Sequence, residues 1–448
     1  MAPVRRRLGS RLKPEPALEA ADIESLDLEG RGVARIAGRA VFVDGALPGE
    51  SVRFRRLRRQ RRYDEAAVVE VLRPSPDRVA PRCRHFGVCG GCSLQHLDHA
   101  AQLTWKERAV ADALERIAGL RPERWLPALS GPAWSYRRRA RLGCKYVEKK
   151  GRVLVGFRER GSSLLADLET CEVLAAPVGA LIPALVALIG GLDIKRRLPQ
   201  IEVAVAANAA ALVLRVLDDP SPADLERLRE FETREGIAIY LQRGGLETVR
   251  PLTPPDVPLR YELAGLPAGI EFAPTDFVQV NGTLNRLMVE RAIELLAPRP
   301  EDRALDLFCG LGNFSLPLAQ RVAAVDGVEG DAALVARARA NAARNAIANA
   351  AFHVTDLAAA TRAASWARAG YDLVLLDPPR AGAREVLPVA AASRPRRIVY
   401  VSCHAGSFAR DAGILARELG YRLAAAGIID MFPHTSHVES IALFEPQP

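Results

Sequence analysis

Three groups of residues in this 448-residue chain are of types and spacings that do chemistry. The first is Cys403 in "VYVSCHAG", where the β-branched and aromatic run Ile398-Val399-Tyr400-Val401 stops at Ser402-Cys403-His404. A thiol delivered there is packing, a metal ligand or a nucleophile. A metal would have to recruit His404 with His434 or His437. A nucleophile that adds to a substrate carbon needs a base to complete turnover, and Glu439 in "HTSHVES" opens the last strand-like stretch. The second group is "ALDLFCGLGNFSLPLA", a strand, a glycine turn and a helix start. Gly310 and Gly312 let the backbone pass close to a ligand, and the helix N-terminus offers free N–H groups. A dinucleotide fingerprint would place a third glycine where Ser315 stands, so a pyrophosphate ligand fits poorly. The third group is "CRHFGVCGGC", with Cys83, Cys89 and Cys92 spaced C-x5-C-x2-C. A fourth thiolate comes from Cys171 or Cys144, and four thiolates suit Zn²⁺ and an iron–sulfur cluster alike.

These residues need elements to hold them. From about residue 266 strand-like pieces alternate with helical ones: "RALDLF", "RVAAVDGVE", "AAFHVTD", "YDLVLLD", "RRIVYVSC", "YRLAAAGIID" and "ESIALFEP". That rhythm predicts a parallel sheet with helices on both faces, and ligands outside the carboxyl ends of its strands. Each of four successive strand ends carries a residue suited to a ligand. Asp306 closes the first, Glu329 the second (an acid suited to ribose hydroxyls), Asp356 the third (able to receive an adenine amino group) and Asp377 of "LLDPPR" the fourth. Together they resemble the class I S-adenosylmethionine-dependent methyltransferases. In that setting Cys403, at the end of the fifth strand, faces a methyl donor. Carbon 5 of uracil is too weak a nucleophile to take a sulfonium methyl unaided. A thiolate adding to carbon 6 makes carbon 5 electron-rich, and a base must afterwards remove its proton.

The front of the chain differs in charge. Residues 1–171 hold 34 basic and 21 acidic side chains, whereas the remainder holds 28 and 32, so the net +9 comes from the front. Clustered positive charge points to a polyanion such as RNA. Residues 1–14 read as a mobile basic tail. Residues 15–73 read as short strands with turns at Asp44-Gly45 and Pro48-Gly49, and resemble a TRAM domain, an RNA-binding OB-like barrel. Seven arginines stand between Arg53 and Arg62. Strand alternation there predicts Phe54 and Leu57 inward and the guanidinium groups outward. A second basic run, residues 135–163, contains Tyr136 and Tyr146, each able to stack on a base or to pack in a core.

As an ordered set, "FVQVN", "DLFCGLGNF", "LLDPPRAG", "VYVSC" and "HTSHVES" resemble the motifs of the bacterial RNA uracil-C5 methyltransferases. The barrel and the cysteine cluster point to the branch that modifies 23S rRNA, and the resemblance covers about residues 15–448. It implies Cys403 as nucleophile and Glu439 as base, and S-adenosylmethionine contacts from Gln279, Phe308, Asn313, Glu329, Asp356 and Asp377. It also implies a [4Fe-4S] cluster on Cys83, Cys89, Cys92 and Cys171, with a structural rather than redox role. The expected architecture is α/β. A TRAM-like barrel spans 15–73, a central α+β iron–sulfur domain 74–265, and a Rossmann-like methyltransferase domain 266–448. The target uridine must leave its stack to be attacked. One departure stands out: His404-Ala405 follows the nucleophile where the family has Asn-Pro. The loop loses rigidity and gains a titratable ring, which either stabilises the thiolate or marks altered activity.

Three other readings compete. A tRNA-directed relative lacks the barrel and the cluster. A radical enzyme needs three close cysteines and an open iron. A non-catalytic RNA-binding assembly protein would tolerate loss of Cys403. The uncharged stretch "VLAAPVGALIPALVALIGGL" (173–192) is long enough to mimic a membrane span. Its large residues Leu181, Ile182, Leu185, Leu188 and Ile189 instead mark one face of a helix packed in a globular core. Seven cysteines and an N-terminus without an apolar signal core predict a cytoplasmic monomer with reduced thiols.

Overall fold

The structure, a computed structural model, describes residues 17–254, 258–359 and 364–448. The basic tail expected over 1–14 lies outside the described residues. The chain forms two compact units that divide between Ala80 and Pro81.

In the first unit the strands Glu19–Asp22, Ser25–Leu26, Gly32–Ile36, Arg39–Asp44, Ser51–Arg59 and Tyr63–Arg73 make one six-stranded sheet. Glu19–Asp22 pairs with Ser51–Arg59, and Ser25–Leu26 pairs with Gly32–Ile36. Between them the Ile23 amide donates to the Glu50 carbonyl and the Glu24 amide to the Val33 carbonyl, each at 2.9 Å. One nearly continuous segment therefore joins both ends of the sheet. It wraps a small core of Ala34, Val41, Val43, Val52 and Phe54. The expected alternation holds at Phe54, which is buried, and fails at Leu57, which is 65% exposed. Leu57 is three residues from Phe54, an odd offset that strand geometry sets on the opposite face, and pairing slips between Arg56 and Arg58. Not all the positive charge is free for a partner. Arg39 and Arg56 converge on the fully buried Asp64, and Arg78 holds the fully buried Glu50 with two bonds. Arg58, Arg59, Arg61 and Arg62 remain exposed.

The second unit contains two large sheets. One runs in the order Arg250–Pro251, Ala238–Gln242, Ala210–Arg215, Gln200–Val205, Arg139–Val147, Arg152–Gly156. The helices Ile182–Gly190 and Pro222–Glu235 cover it through Leu185, Ile189, Leu228 and Phe231. The stretch that mimicked a membrane span thus contributes a nine-residue helix whose Ile182, Leu185 and Ile189 are buried. Among the described residues no helix is long and apolar enough to cross a membrane.

The other sheet positions the strand-end residues. Its strands are β1 (Arg303–Leu307), β2 (Ala324–Glu329), β3 (Ala350–Val354), β4 (Leu373–Leu376), β5 (Arg397–Ser402), β6 (Tyr421–Ile429) and β7 (Glu439–Pro446). They lie in the order β3-β2-β1-β4-β5-β7-β6, and Arg124–Trp125 adds an edge beside β6. Side chains alternate between faces, as strand geometry requires. Ala304, Leu373 and Val399 pack on one side with Leu284, Met288 and Val335. Leu305, Val374 and Tyr400 pack on the other with Phe408, Leu415 and Val110. The parallel arrangement holds for β1 to β5. It fails at β7, which is antiparallel to both neighbours. The crossover through the helix Ala405–Arg417 lays β6 parallel to β5 with one strand width between them. β7 returns from β6 and fills that gap.

Candidate active site at the carboxyl end of the sheet

The insertion of β7 decides the geometry. Ser402 pairs with Ser440 across the antiparallel β5–β7 contact, so the next residue out, Cys403, lies beside Glu439. A parallel last strand would have put its first residue at the opposite end of the sheet. Glu439 is 5% exposed, and its Oε2 has no hydrogen-bond partner. Burial, reinforced by the nearby Asp377, pushes its carboxyl up to about 8, against the opposing pull of Lys106. Cys403 is half-buried. Burial and the negative charges of Glu439 and Asp377 raise its thiol, against the opposing pull of Arg380 and a backbone hydrogen bond. The resting pair is therefore predominantly thiol and carboxylic acid at neutral pH.

His404 does not supply the missing positive charge. It is the N-cap of the helix Ala405–Arg417, and its Nδ1 accepts the Ser407 amide at 3.1 Å. An accepting Nδ1 carries no proton, so the ring is neutral. Burial and the neighbouring Arg380 and Arg410 hold its titration below the usual histidine range. The cap explains why a histidine is acceptable where asparagine, a strong capping residue, is usual. His404→Ala is expected to lower stability by about 1 kcal/mol in thermal or urea unfolding, with His404→Asn restoring it. Methyl transfer should persist in both.

Next to this pair lies the glycine turn. Phe308, at the end of β1, has φ 65°, a left-handed conformation uncommon for a bulky residue and a sign of imposed geometry. Gly310 and Gly312 follow with φ 53° and 88°. The Glu329 carboxylate accepts the Gly310 amide at 3.1 Å and the Gly330 amide at 2.7 Å, which fastens the end of β2 to the turn. Ser315, the residue that broke the dinucleotide pattern, donates its hydroxyl to the fully buried Asp306 at 2.5 Å. Asn313 and Asn285 exchange amide hydrogen bonds at 2.9 Å each, and the Tyr261 hydroxyl donates to Asn313 Oδ1 at 3.0 Å. Tyr261, Asn285 and Gln279 line one small pocket with Arg138. Gln279 and Asn313 are thus connected through shared neighbours. Asp356 stands apart; it is exposed and its Oδ1 accepts the Ala358 amide at 3.0 Å.

Electrostatics shows what this end of the sheet would bind. Burial pushes the Asp306 carboxyl up to about 7, helped by Asp377 and Glu329. Burial does the same to Asp377, also to about 7. Crowded carboxylates without matching cations disfavour a pyrophosphate and favour a positively charged ligand. Such a ligand prefers the ionised carboxylates and must displace protons when they are neutral. Its affinity is therefore expected to be at least about fivefold higher at pH 8 than at pH 6. Calorimetric titration with S-adenosylmethionine checks this; equal affinities at the two pH values would contradict it.

Sequence reasoning passed over several residues that hold this site. Tyr261 and Asn285 fix Asn313, and neither belongs to a recognisable motif. Lys106 is fully buried and donates to Asp430 at 2.6 Å. A single lysine on a helix carries no signal that its partner lies more than three hundred residues away. Tyr136, left open between stacking and packing, is buried and donates to the Pro433 carbonyl at 3.0 Å.

The four cysteines 83, 89, 92 and 171 line a single pocket, together with Phe86, Arg137 and Phe157. Cys144 is buried in the neighbouring sheet core instead. Among the described residues no group of three or more His, Cys, Asp or Glu side chains closes on a single metal ion. Burial raises the thiols of Cys89, to about 11, and Cys92, to about 12, and the sister thiols add to the effect.

Comparison with known proteins places the chain in a family. Residues 98–447 match the family described as tRNA (Uracil-5-)-methyltransferase. The chain is 54% identical over 436 residues to the 23S rRNA (uracil(1939)-C(5))-methyltransferase RlmD of Nitrosococcus oceani, covering 97% of each. It is 52% identical to the protein of the same name from Methylococcus capsulatus, covering 97% of this chain and 98% of that one. Among solved structures it is similar to the Pyrococcus abyssi tRNA (uracil-54, C5)-methyltransferase in complex with S-adenosyl-L-homocysteine. The TM-score is 0.74 and the identity 25%, over 95% of this chain and 99% of that one. By sequence, and by a similar fold along nearly its whole length, the chain belongs to the tRNA (uracil-5-)-methyltransferase family.

Proposed function

We infer that this protein methylates carbon 5 of a uridine in 23S rRNA with S-adenosylmethionine as donor. The observation that carries the reading is the placement of Cys403 beside Glu439, at the sheet end where the glycine turn lies. The identity to rRNA-modifying relatives, about twice that to the tRNA enzyme, favours rRNA as the substrate.

Each residue then has a task. Cys403 loses its proton to solvent, and the thiolate adds to carbon 6 and pushes an electron pair toward carbon 5. When bound, S-adenosylmethionine supplies an electrophilic methyl group. Glu439 as carboxylate removes the carbon 5 proton; the C–H pair re-forms the 5,6 double bond and the C–S bond breaks. Asp377 stands between the two halves, since its charge is felt at Cys403, Glu439 and Asp306 alike. Gln279, Phe308, Asn313 and Glu329 form the donor's binding surface, and Asp356, exposed just past the end of β3, would meet the donor only at its rim. The target uridine must be flipped out to reach Cys403.

The front of the chain serves binding. Residues 15–73 act as a TRAM-like RNA-binding barrel, a role supported by the self-closing sheet and the exposed Arg58, Arg59, Arg61 and Arg62. Residues 74–265 form the cysteine-bearing part and 266–448 the methyltransferase part. A [4Fe-4S] cluster fits Cys83, Cys89, Cys92 and Cys171: four thiols line one pocket, and bound iron would offset the repulsion among their thiolates. Held there, it cross-links distant chain segments. Protein purified without oxygen should contain iron and acid-labile sulfide in equal amounts, and Cys171→Ala should lose both.

The decisive test is mass mapping of 23S rRNA from cells with and without the gene. One uridine should lose its methyl group when the gene is deleted, and an unchanged map would overturn the reading.

A further inference from the structure

Glu439 enters β7 from the loop 430–438, and what fixes that loop fixes the base. The loop is tied to the turn that follows the cysteine cavity. Immediately after Cys92, the amides of Ser93 and Leu94 both donate to the His434 carbonyl at 2.9 Å. Ser93 Oγ accepts the Ser436 amide at 3.0 Å. Gln102, fully buried on the helix His99–Ala113, joins the two sides. Its Nε2 donates to the carbonyls of Leu94 at 3.1 Å and Leu97 at 2.8 Å. Its Oε1 accepts the His434 amide at 2.9 Å, and its Nε2 meets His434 Nδ1 at 3.2 Å. Lys106, one turn further on, donates to Asp430 and to the Phe432 carbonyl. Trp134 lies over the His434 ring at 4.0 Å between centroids.

A buried amide whose two Nε2 hydrogens and one Oε1 are shared among groups on two chain segments holds both in one register, because losing those bonds leaves buried polar groups short of partners. We propose that Gln102 is a positioning residue for the base Glu439, and that it couples the integrity of the cysteine-lined centre to proton removal from carbon 5. The proposal rests on the uracil-C5 reading above. Its chemical consequence is specific. Addition of Cys403 and capture of the methyl do not use Glu439. A displaced carboxylate slows only the last step, in which the carbon 5 proton passes to Glu439, the electron pair re-forms the double bond and the Cys403 thiolate leaves. The methylated RNA then stays bound to the protein through sulfur.

The test uses full-length protein and a natural-uridine transcript. Gln102→Leu is expected to transfer its first methyl at close to the parent rate. Steady-state turnover should fall about tenfold to a hundredfold, the scale of a displaced catalytic group. A protein–RNA complex stable in denaturant should build up. First transfer and turnover falling together, with no such complex, would overturn the proposal. Should Gln102→Leu fail to fold, Ser93→Ala removes one hydroxyl and should show the same signature at smaller size; parent-like kinetics there would overturn it equally. Hydrogen exchange gives a readout independent of activity. Amides of residues 432–439 should exchange faster in Gln102→Leu or Ser93→Ala, and also in Cys92→Ser, and unchanged exchange would defeat the coupling. If the parent protein itself methylates no uridine, the uracil-C5 reading fails, and exchange still decides whether the clasp exists.

Discussion

Cys403→Ser is expected to leave a folded protein that binds S-adenosylmethionine and methylates nothing. Activity should drop by on the order of 10⁴-fold or more, the scale reached when a covalent nucleophile is lost. The reason lies in the electron supply. Uracil carbon 5 takes a methyl only after a soft, ionised nucleophile has added to carbon 6, and a serine hydroxyl is a far weaker acid than a thiol. The site makes matters harder for oxygen, because Glu439 and Asp377 already oppose negative charge there. Packing changes little, since serine and cysteine differ by one atom at a half-buried position. Tritium release from carbon 5-labelled transcript measures the outcome. Undiminished release from the serine variant would remove the covalent mechanism altogether.

Glu439→Gln should fail differently. It keeps the nucleophile, so one methyl per protein is transferred and the reaction stalls on the sulfur-linked product. Turnover falls by about 10²- to 10⁴-fold, the usual worth of a positioned base. The stalled complex should survive denaturing electrophoresis. The pH dependence carries a second signature. With Glu439 pushed up to about 8, the parent's turnover rises as pH climbs to that point, because only the carboxylate accepts a proton. The glutamine variant loses that limb. Stability follows the same linkage with its sign fixed. A carboxyl whose folded value lies above its unfolded one stabilises the fold while protonated in both states, and that contribution disappears as pH rises through about 8. The glutamine variant should therefore gain on the parent in melting temperature between about pH 5 and about pH 8. A variant that turns over at the parent rate, or that leaves no trapped complex, would dismiss Glu439 as the base.

Much of the architecture was legible because local patterning and global fold agree. Seven strand-like pieces in the back of the chain appear as β1 to β7, and the strand ends carry the residues that the pattern picked out. The antiparallel β7 was not legible. Nothing in "ESIALFEP" distinguishes an inserted strand from an added one, since both are buried on two faces. Yet that insertion is what brings Glu439 to Cys403. Leu57 was misplaced because it stands three residues from Phe54, and side chains an odd number apart in a strand point to opposite faces. Gln102 and Lys106 were invisible for a third reason. Their partners at Asp430 to His434 are distant in sequence, and a polar residue on a helix reads as solvent-facing until a partner is seen.

The raised thiol at Cys403 has a consequence outside the catalytic cycle. A sulfur kept protonated, with a capped and neutral imidazole beside it, is a poor target for peroxide and for alkylating electrophiles, which attack the anion. On the proposed mechanism, the sulfur stays dormant toward such reagents until a substrate uridine reaches it.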